Sequence, residues 1–398
     1  MNSKQYMELE RKHGASNYES LEVVLSKGEG VWVWDVEGNK YMDMLSAYSA
    51  VNHGHRHPKI VKAMKDQIDR LTLTSRAFFN DRLPAFCQRV CEFTGKEMFL
   101  PMNTGAEAVE TAIKTIRKWG YEVKGVEPET GEIIVFENNF HGRTTTIVSF
   151  STDMNAHKNF GPFTPGFVIV PYNDLKAIED AITDKTIGIM VEPIQGEAGI
   201  NVPDMGYLKG IRKICDDNNI VFAADEIQSG FGRTGKRFCC DHENVEPDLF
   251  ILGKALGGGV FPVSGVAADE EYLGVFKKGQ HGSTFGGNPL GSVVGTTAID
   301  VLVEEKLVEN SAKLGEYFMG KLKTLEGKII ECVRGRGLMI GIDIKESAGH
   351  AHDYVVKLRD NGIIAKETHD TIIRFAPPLT ITKDELDWAF ERIKKVFA

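Results

Sequence analysis

The sequence predicts an α/β protein with a large, mostly parallel central sheet and a smaller α+β domain. Two observations support this prediction. Short apolar runs recur between about residues 133 and 268, and helix-like segments separate several of them. After about residue 290 the pattern changes, because long helical stretches there flank short strand-like runs.

The central region contains apolar runs that are rich in β-branched residues. Strands that are apolar on both faces are typical of a covered, largely parallel sheet. Helix-like segments at 174–183 and 206–218 supply the crossovers that parallel strands require. The predicted strands are 133–136, 167–170, 187–191, 221–224, 249–252 and 263–268.

The two ends of the chain predict the smaller domain. Residues 30–44 contain a β-hairpin signal, with a turn at 37–40. The C-terminal part combines helices around 291–325 and 383–397 with strands at 338–344 and 372–375. We therefore expect a large domain at 50–289 and a small domain formed by 1–49 and 290–398. The N-terminal hairpin could pack against the C-terminal part.

Composition and charge exclude several classes of protein. The 398 residues are 42% hydrophobic and 26% charged, which is typical of a globular chain. With 47 basic and 56 acidic residues, the net charge is −9, so we expect neither nucleic acid nor a membrane as a partner. The six cysteines are scattered and are expected to be reduced. The N-terminus lacks the apolar stretch of a secretory signal, so the cytoplasm is the expected location.

Three charged residues follow predicted strands. Glu192 and Asp225 come directly after two apolar runs, and Lys254 follows a third after one glycine. In open α/β sheets, ligands bind beyond the carboxyl ends of the strands, so these side chains are candidates for a functional site. Taken singly, each carboxylate could be a turn cap and the lysine could be solvated.

A lysine and an aspartate at such an edge match the needs of pyridoxal phosphate. Lys254 could form a Schiff base with this aldehyde, and Asp225 could keep the ring nitrogen protonated. Residues 103–107 offer a phosphate site, because Thr104 and Glu107 form a capping box before an amphipathic helix. The amides of Gly105 and Ala106 would face the anion. A plain, well-capped helix is the alternative.

Three other motifs in the sequence do not support a nucleotide or metal site. Residues 230–235 match GxGxxG, but no convincing helix follows them. Residues 230–236 match GxxxxGK, but Arg237 stands where a magnesium-binding Ser or Thr is needed. His53, His55 and His57 alternate without the spacing of a common zinc site, so they predict a turn before a helix from Pro58 and no metal site.

The whole chain from about Tyr18 onward resembles the class III, fold type I pyridoxal-phosphate aminotransferases. The resemblance rests on ordered motifs: DVEGNK at 35–40, SAYSAV at 46–51, LTSRAF at 73–78, MNTGAE at 102–107, NFHGR at 139–143, VEPIQGEAG at 191–199, ADEIQ at 224–228, LGKAL at 252–256, HGSTFGGNP at 281–289 and IRFAPP at 373–378.

The resemblance implies how the cofactor is held. Lys254 would bind it covalently and move a proton during catalysis, while Asp225 pairs with the ring nitrogen. Gln228 would bond the ring hydroxyl. Phe140 and Ile227 would pack on the two ring faces, and the phosphate would be bound by Gly105, Ala106 and Thr284, the last from the other subunit. A homodimer, or a higher assembly, is therefore implied.

The resemblance also implies the substrates. In members that transfer the δ-amino group of L-ornithine to 2-oxoglutarate, residues matching Tyr18 and Arg143 bind the ornithine carboxylate. Arg374 would receive the α-carboxylate of 2-oxoglutarate, and Glu197 would pair with it when ornithine is bound. Tyr48 matches a residue that separates ornithine from 4-aminobutyrate. Acetylornithine or 4-aminobutyrate as the donor is the alternative. A non-catalytic binding protein of this fold would be expected to lack Lys254 or Asp225.

Overall fold

The computed structural model describes residues 1–397. The strands are β1 (Leu25–Glu29), β2 (Trp32–Asp35), β3 (Lys40–Asp43), β4 (Met98–Met102), β5 (Glu132–Phe136), β6 (Phe167–Val170), β7 (Thr186–Val191), β8 (Val221–Asp225), β9 (Leu249–Leu252), β10 (Ser264–Ala268), β11 (Ile330–Arg336), β12 (Met339–Ile344), β13 (Ile363–Ile364), β14 (Lys366–Thr368) and β15 (Ile372–Phe375).

The helices are α1 (Ser3–His13), α2 (Ser46–Ser49), α3 (Pro58–Ile68), α4 (Leu83–Thr94), α5 (Gly105–Glu122), α6 (Thr145–Val148), α7 (Met154–His157), α8 (Leu175–Ala181), α9 (Tyr207–Asn218), α10 (Glu270–Leu273), α11 (Pro289–Glu304), α12 (Leu307–Lys323), α13 (Ala351–Asp360) and α14 (Lys383–Phe397). All are right-handed α-helices except α2, a single turn with positive φ values. Short 3₁₀ turns lie at Cys239–His242, Lys254–Gly257 and Glu346–Ala348.

A seven-stranded sheet forms the centre of the chain, in the order β4-β10-β9-β8-β7-β5-β6. The five strands β5, β6, β7, β8 and β9 run parallel to one another, whereas β10 is antiparallel to both β9 and β4. The predicted α/β class with a mostly parallel sheet is confirmed. The sequence pattern does not reveal strand β4, because Pro101 interrupts its apolar run. Proline is tolerated at the edge of a sheet, which is where β4 lies.

Helices cover both faces of this sheet. Ile133 and Val135 of β5 pack in one apolar cluster with α5, while Ile134 and Phe136 pack in another cluster with α9. Successive side chains of a strand point to opposite faces, so a strand covered on both sides must be apolar throughout. The predicted crossover helices are confirmed as α8 and α9.

The N-terminal hairpin pairs with the C-terminal part of the chain. Strands β2 and β3 form the predicted antiparallel hairpin, and β1 adds to its edge. Ile363 and Ile364 of β13 then pair in parallel with Met42 and Asp43 of β3. The expected packing of hairpin and C-terminal region is therefore confirmed. The division at residues 50 and 289 stays a prediction.

A second small sheet has the order β11-β12-β15-β14 and is antiparallel throughout. The predicted C-terminal helices appear as α11, α12 and α14. A residue with left-handed geometry, Lys306 (φ 54°), separates α11 from α12. Within residues 1–397, no helix combines the length and the hydrophobicity that crossing a membrane requires.

Candidate active site

A cavity lies at the carboxyl ends of the central strands. Glu192 follows β7, Asp225 ends β8, and Lys254 follows β9 after Gly253. The structure brings these three side chains into one cavity. It is lined by Gly105, Ala106, Phe140, His141, Gly142, Glu192, Ile194, Glu197, Asp225, Ile227, Gln228 and Lys254. These include every residue predicted to hold the cofactor except Thr284.

Lys254 begins a 3₁₀ turn with φ of 43°, in the left-handed region. Non-glycine residues are strained there, and such strain is found at functional sites when the surrounding structure enforces it. Burial lowers the pKa of the Lys254 ammonium, and the negative charges of Glu197 and Asp225 oppose this effect without cancelling it. The amine is therefore easier to deprotonate than an exposed lysine, as a nucleophile requires.

Asp225 is held in one orientation at the floor of the cavity. Its side chain is 5% exposed. Oδ2 lies 2.7 Å from Nδ1 of His141, and Oδ1 accepts the backbone N–H of Ile227 at 3.1 Å. Burial alone would lower the pKa of His141, but the hydrogen bond and the charge of Asp225 outweigh it and raise the pKa. Contact with Asp225 therefore favours the protonated form of His141.

Sequence patterns alone do not identify His141 as a residue of the site. Its only signal is its position between Phe140 and Gly142 in one of the shared motifs. Two facts that only the structure supplies give it a role: it is buried, and it contacts Asp225. A histidine in that place can orient the carboxylate and support its charge.

Glu192 connects two segments of the cavity wall. Its carboxylate accepts the backbone N–H of Phe140 at 2.8 Å and that of Gly196 at 3.3 Å. Burial raises the pKa of Glu192 to about 7; His141 opposes the rise and the charge of Asp225 adds to it. Glu192 thus holds the backbone on both sides of the cavity. With a pKa of about 7, it also binds a proton near neutral pH.

The N-terminus of α5 opens into the cavity at the predicted capping box. The Thr104 hydroxyl accepts the Glu107 N–H at 3.2 Å, and the Thr104 N–H donates to the Glu107 carboxylate at 2.7 Å. The amides of Gly105 and Ala106 have no partner inside the helix, so they are free to bind an anion. A Cβ on Gly105 would lie 3.1 Å from Cδ1 of Ile227, so a side chain there would crowd the wall.

A second set of charged residues meets at the side of the cavity. Arg374 of β15 is 5% exposed, and its Nη1 lies 2.7 Å from the Glu197 carboxylate. Gln228 also donates to Glu197, at 3.3 Å. Burial would raise the pKa of Glu197, but Arg374 and Lys254 outweigh it and keep the pKa low. The Arg374 guanidinium stands over the Tyr48 ring, 5.1 Å from its centroid.

Three other predicted residues lie outside the cavity wall. Arg143 is exposed and stands 5.8 Å from the centroid of the Phe140 ring. Tyr18 is 76% exposed in a surface groove with residues of α1 and α13. Burial raises the pKa of Tyr48, which lies beside Arg374. Thr284 lies on an exposed loop.

The histidines of residues 52–58 are bound by protein groups. His53 contacts the backbone oxygen of Ala298, His55 contacts Asp43, and His57 contacts Glu305. In the part of the chain that the structure describes, no group of three or more His, Cys, Asp and Glu is arranged to bind a metal ion. All six cysteines are free thiols.

Comparison with known proteins agrees with this geometry. A family model described as class-III aminotransferase matches residues 13–397. An ornithine aminotransferase of Geobacillus sp. is 60% identical over 390 residues, which cover 98% of this chain and 97% of the relative. Two solved structures are also similar. The Toxoplasma gondii ornithine aminotransferase is 44% identical, with a TM-score of 0.98, and covers 100% of this chain and 94% of its own. The acetylornithine aminotransferase of Elizabethkingia anophelis is 47% identical, with a TM-score of 0.91. The match covers 100% of this chain and 99% of the Elizabethkingia chain.

The match to the family model extends over nearly the whole chain, and the relatives share both its length and its fold. The lysine, aspartate and helix N-terminus that line the cavity lie within the matched residues. On these grounds, the chain belongs to the class-III aminotransferase family, and the protein is an enzyme.

Proposed function

We propose that the enzyme uses pyridoxal phosphate to transfer the δ-amino group of L-ornithine to 2-oxoglutarate. The products are L-glutamate and glutamate 5-semialdehyde, which cyclises to pyrroline-5-carboxylate. The ion pair of Glu197 and Arg374 beside Lys254 carries this proposal, because it can serve two substrates of different charge. The Geobacillus and Toxoplasma relatives support it, since both are ornithine aminotransferases.

The residues of the cavity fit pyridoxal phosphate. The Lys254 amine suits its aldehyde, the buried Asp225 carboxylate suits a protonated ring nitrogen, and the free amides of Gly105 and Ala106 suit its phosphate. Gln228 would bond the ring hydroxyl, and Phe140 and Ile227 supply apolar walls for the ring faces. When bound, this cofactor accepts electrons from the substrate carbon that loses a proton.

Lys254 is the group that moves the proton. Its Nζ lies in the same cavity as Asp225 and Glu197, and its lowered pKa lets it exist as a free base once the substrate is bound. A base of this kind accelerates proton transfer by about 10²- to 10⁴-fold. His141, whose Nδ1 lies 2.7 Å from Oδ2 of Asp225, would hold this carboxylate toward the ring nitrogen.

Glu197 and Arg374 let one site accept two different acids. A buried arginine left without a partner costs roughly 3–5 kcal/mol, so Glu197 neutralises Arg374 while ornithine is bound. The α-carboxylate of 2-oxoglutarate then replaces Glu197, because a guanidinium binds carboxylates through two parallel hydrogen bonds. We assign the ornithine carboxylate to Arg143 and Tyr18, and donor selection to Tyr48.

We further propose that the enzyme is a homodimer, or a larger assembly built from it, in which Thr284 completes the phosphate site of the partner. Phe78, Phe79 and Phe285 are 73%, 101% and 52% exposed. The Asn80 side chain donates to the Gly287 carbonyl, so these exposed rings lie on two connected loops beside Thr284. Large apolar side chains exposed together are typical of a protein interface.

Acetylornithine is the second candidate donor, since the Elizabethkingia neighbour is an acetylornithine aminotransferase. 4-Aminobutyrate is the third. In the test, each donor is given separately to the purified enzyme in the presence of pyridoxal phosphate and 2-oxoglutarate. Glutamate is quantified, and pyrroline-5-carboxylate is trapped with o-aminobenzaldehyde. Strong preference for ornithine with the trapped product supports δ-transfer. Preference for another donor overturns the substrate assignment and leaves the family unchanged.

A further inference from the structure

Residues Ser46–Ser49 form a turn of left-handed helix. Their φ values are 51°, 46°, 59° and 70°, and none of the four is glycine. An L-residue in this region brings Cβ close to the following carbonyl oxygen, so left-handed geometry normally occurs at single residues. A run of this length must be held by its surroundings.

Asp43 holds the start of this turn. It ends β3 and is 7% exposed. One carboxylate oxygen accepts the backbone N–H of Leu45 at 2.9 Å and that of Ser46 at 2.8 Å. A buried N–H that loses its acceptor is costly, so the carboxylate favours the backbone path that leads into the left-handed turn.

His55 holds Asp43 from the other side. Its Nε2 lies 2.7 Å from the second carboxylate oxygen of Asp43. The backbone of His55 exchanges two hydrogen bonds with Gly30, and a Cβ on Gly28 would lie 2.8 Å from the His55 ring. The ring is therefore fixed between the hairpin and Asp43. His53 and His57 of the same motif contact other partners.

The turn presents Tyr48 to the site. Arg374 stands 5.1 Å from the centre of the Tyr48 ring and pairs with Glu197. The Met44 carbonyl, just before the turn, accepts the Ala376 N–H at 2.7 Å, just after the strand that carries Arg374. The position of Tyr48 relative to Arg374 is thus set by the backbone on both sides.

We infer that Asp43 and His55 are positioning residues that hold the left-handed turn Ser46–Ser49 and so place Tyr48 against Arg374 for donor selection. The inference rests on the proposed function, in which Tyr48 separates L-ornithine from 4-aminobutyrate. It gives a role to the histidine motif at 52–58 that neither the cofactor nor the substrates require.

The first test compares Asp43→Ala with Asp43→Asn. Asparagine keeps an oxygen for the two backbone N–H groups and an amide that can face His55, whereas alanine keeps neither. In Asp43→Ala we expect the ornithine preference, measured as the ratio of kcat/KM for L-ornithine and 4-aminobutyrate, to fall about tenfold. Asp43→Asn should stay within about twofold of the wild type. Equal ratios in wild type and Asp43→Ala overturn the inference.

The histidines supply a matched pair. His55→Ala should lower the same ratio by about threefold, while His57→Ala, which removes a buried histidine of the same motif, should leave it unchanged. Ala47, an exposed residue of the turn, tests the turn while Asp43 and His55 stay unchanged. A β-branched side chain tolerates positive φ poorly, so Ala47→Val should lower the ratio and Ala47→Gly should not. Equal effects within either pair count against the inference.

Hydrogen exchange separates this inference from the proposed function. The amides of Leu45 and Ser46 should exchange at least about tenfold faster in Asp43→Ala than in the wild type, whichever donor the enzyme prefers. If the wild type prefers another donor but exchange accelerates, the proposed function fails and the turn assignment stands. If exchange is unchanged, Asp43 does not hold the turn and the inference fails.

Discussion

Arg374 and Glu197 form an ion pair 2.7 Å long between two separate parts of the fold. Glu197 follows the central strand β7, and Arg374 lies in the middle of the small C-terminal sheet. The same small sheet also holds the backbone of Glu197, because the Thr368 hydroxyl of β14 donates to its carbonyl oxygen. The ion pair therefore joins the central sheet to the small C-terminal sheet.

Removing the charge of Glu197 should weaken donor discrimination. In Glu197→Gln, Arg374 loses its partner and is free to bind the α-carboxylate of an ordinary amino acid. We expect kcat/KM for L-glutamate as donor to rise about tenfold relative to L-ornithine, which corresponds to about 1.4 kcal/mol. Steady-state kinetics with both donors measures this. Glu367→Gln, on β14, serves as the control, and an unchanged ratio in Glu197→Gln contradicts the assigned role.

Replacing Lys254 should abolish turnover. Lys254→Ala removes both the amine that binds the cofactor and the base that moves the proton, so kcat should fall by at least about 10⁴-fold. The visible absorbance of covalently bound cofactor should disappear as well. Stopped assays and absorption spectra of the purified variant measure the two effects. A variant that retained both would refute the assignment of Lys254.

Glu192 should make stability depend on pH. Its pKa in the folded chain, about 7, lies above the ordinary value of 4.5, so the folded protein binds this proton more tightly than the unfolded chain does. Raising the pH through this window therefore costs stability, by roughly 3 kcal/mol once the pH exceeds 7. Glu192→Gln lacks this cost, so its Tm should exceed that of the wild type at pH 8.

About one pH unit below 4.5 the two proteins should melt at similar temperatures, because Glu192 is then mostly protonated in both the folded and the unfolded states. Calorimetry of the cofactor-free protein across this pH range measures the difference. A Tm difference that is constant with pH would show that folding does not raise the pKa of Glu192.

The capping box of α5 should affect cofactor binding. Thr104→Ala removes the side chain that caps the helix and should cost about 1 kcal/mol of stability. Asp174→Ala removes the comparable cap of α8, which accepts the Ala177 N–H. Both variants should melt earlier, but only Thr104→Ala should bind pyridoxal phosphate more weakly, as measured by equilibrium dialysis. Equal affinities of the two variants for pyridoxal phosphate would contradict a role of this helix in phosphate binding.

Complementation tests the shared site of the proposed dimer. When each variant is tested alone, Lys254→Ala should be inactive and Thr284→Ala should be weakly active. If Thr284 serves the partner's site, subunits unfolded together and refolded should regain about a quarter of wild-type activity, since half of the dimers are mixed and each has one complete site. Absence of recovery, with dimers verified by ultracentrifugation, indicates that Thr284 acts in its own subunit or in neither.

Local patterns in the sequence were sufficient to predict the central sheet. Strands such as β5 and β7 are apolar throughout because helices cover both of their faces, and this composition is visible without any contact being known. The capping box of Thr104 and Glu107 is equally local, since both partners lie within one turn. Strand β4 is not visible in this way, because Pro101 interrupts its apolar run.

Motif similarity also pointed to the residues of the cavity, but it could not supply their contacts. The hydrogen bond between His141 and Asp225 joins residues 84 positions apart, and the Glu197–Arg374 pair spans most of the C-terminal half. The left-handed turn at Ser46–Ser49 depends on His55 and on strands β1 and β3 together.

The sequence by itself determined the fold class, the charged residues at the strand ends and the family. Each of these depends on periodicity, on spacing or on runs of residues that are close in the chain. Only the tertiary structure decided the orientation of Asp225, the pKa of Glu192 and the placement of Tyr48. Those properties arise from burial and from partners distant in sequence, and no local pattern encodes which distant groups will meet.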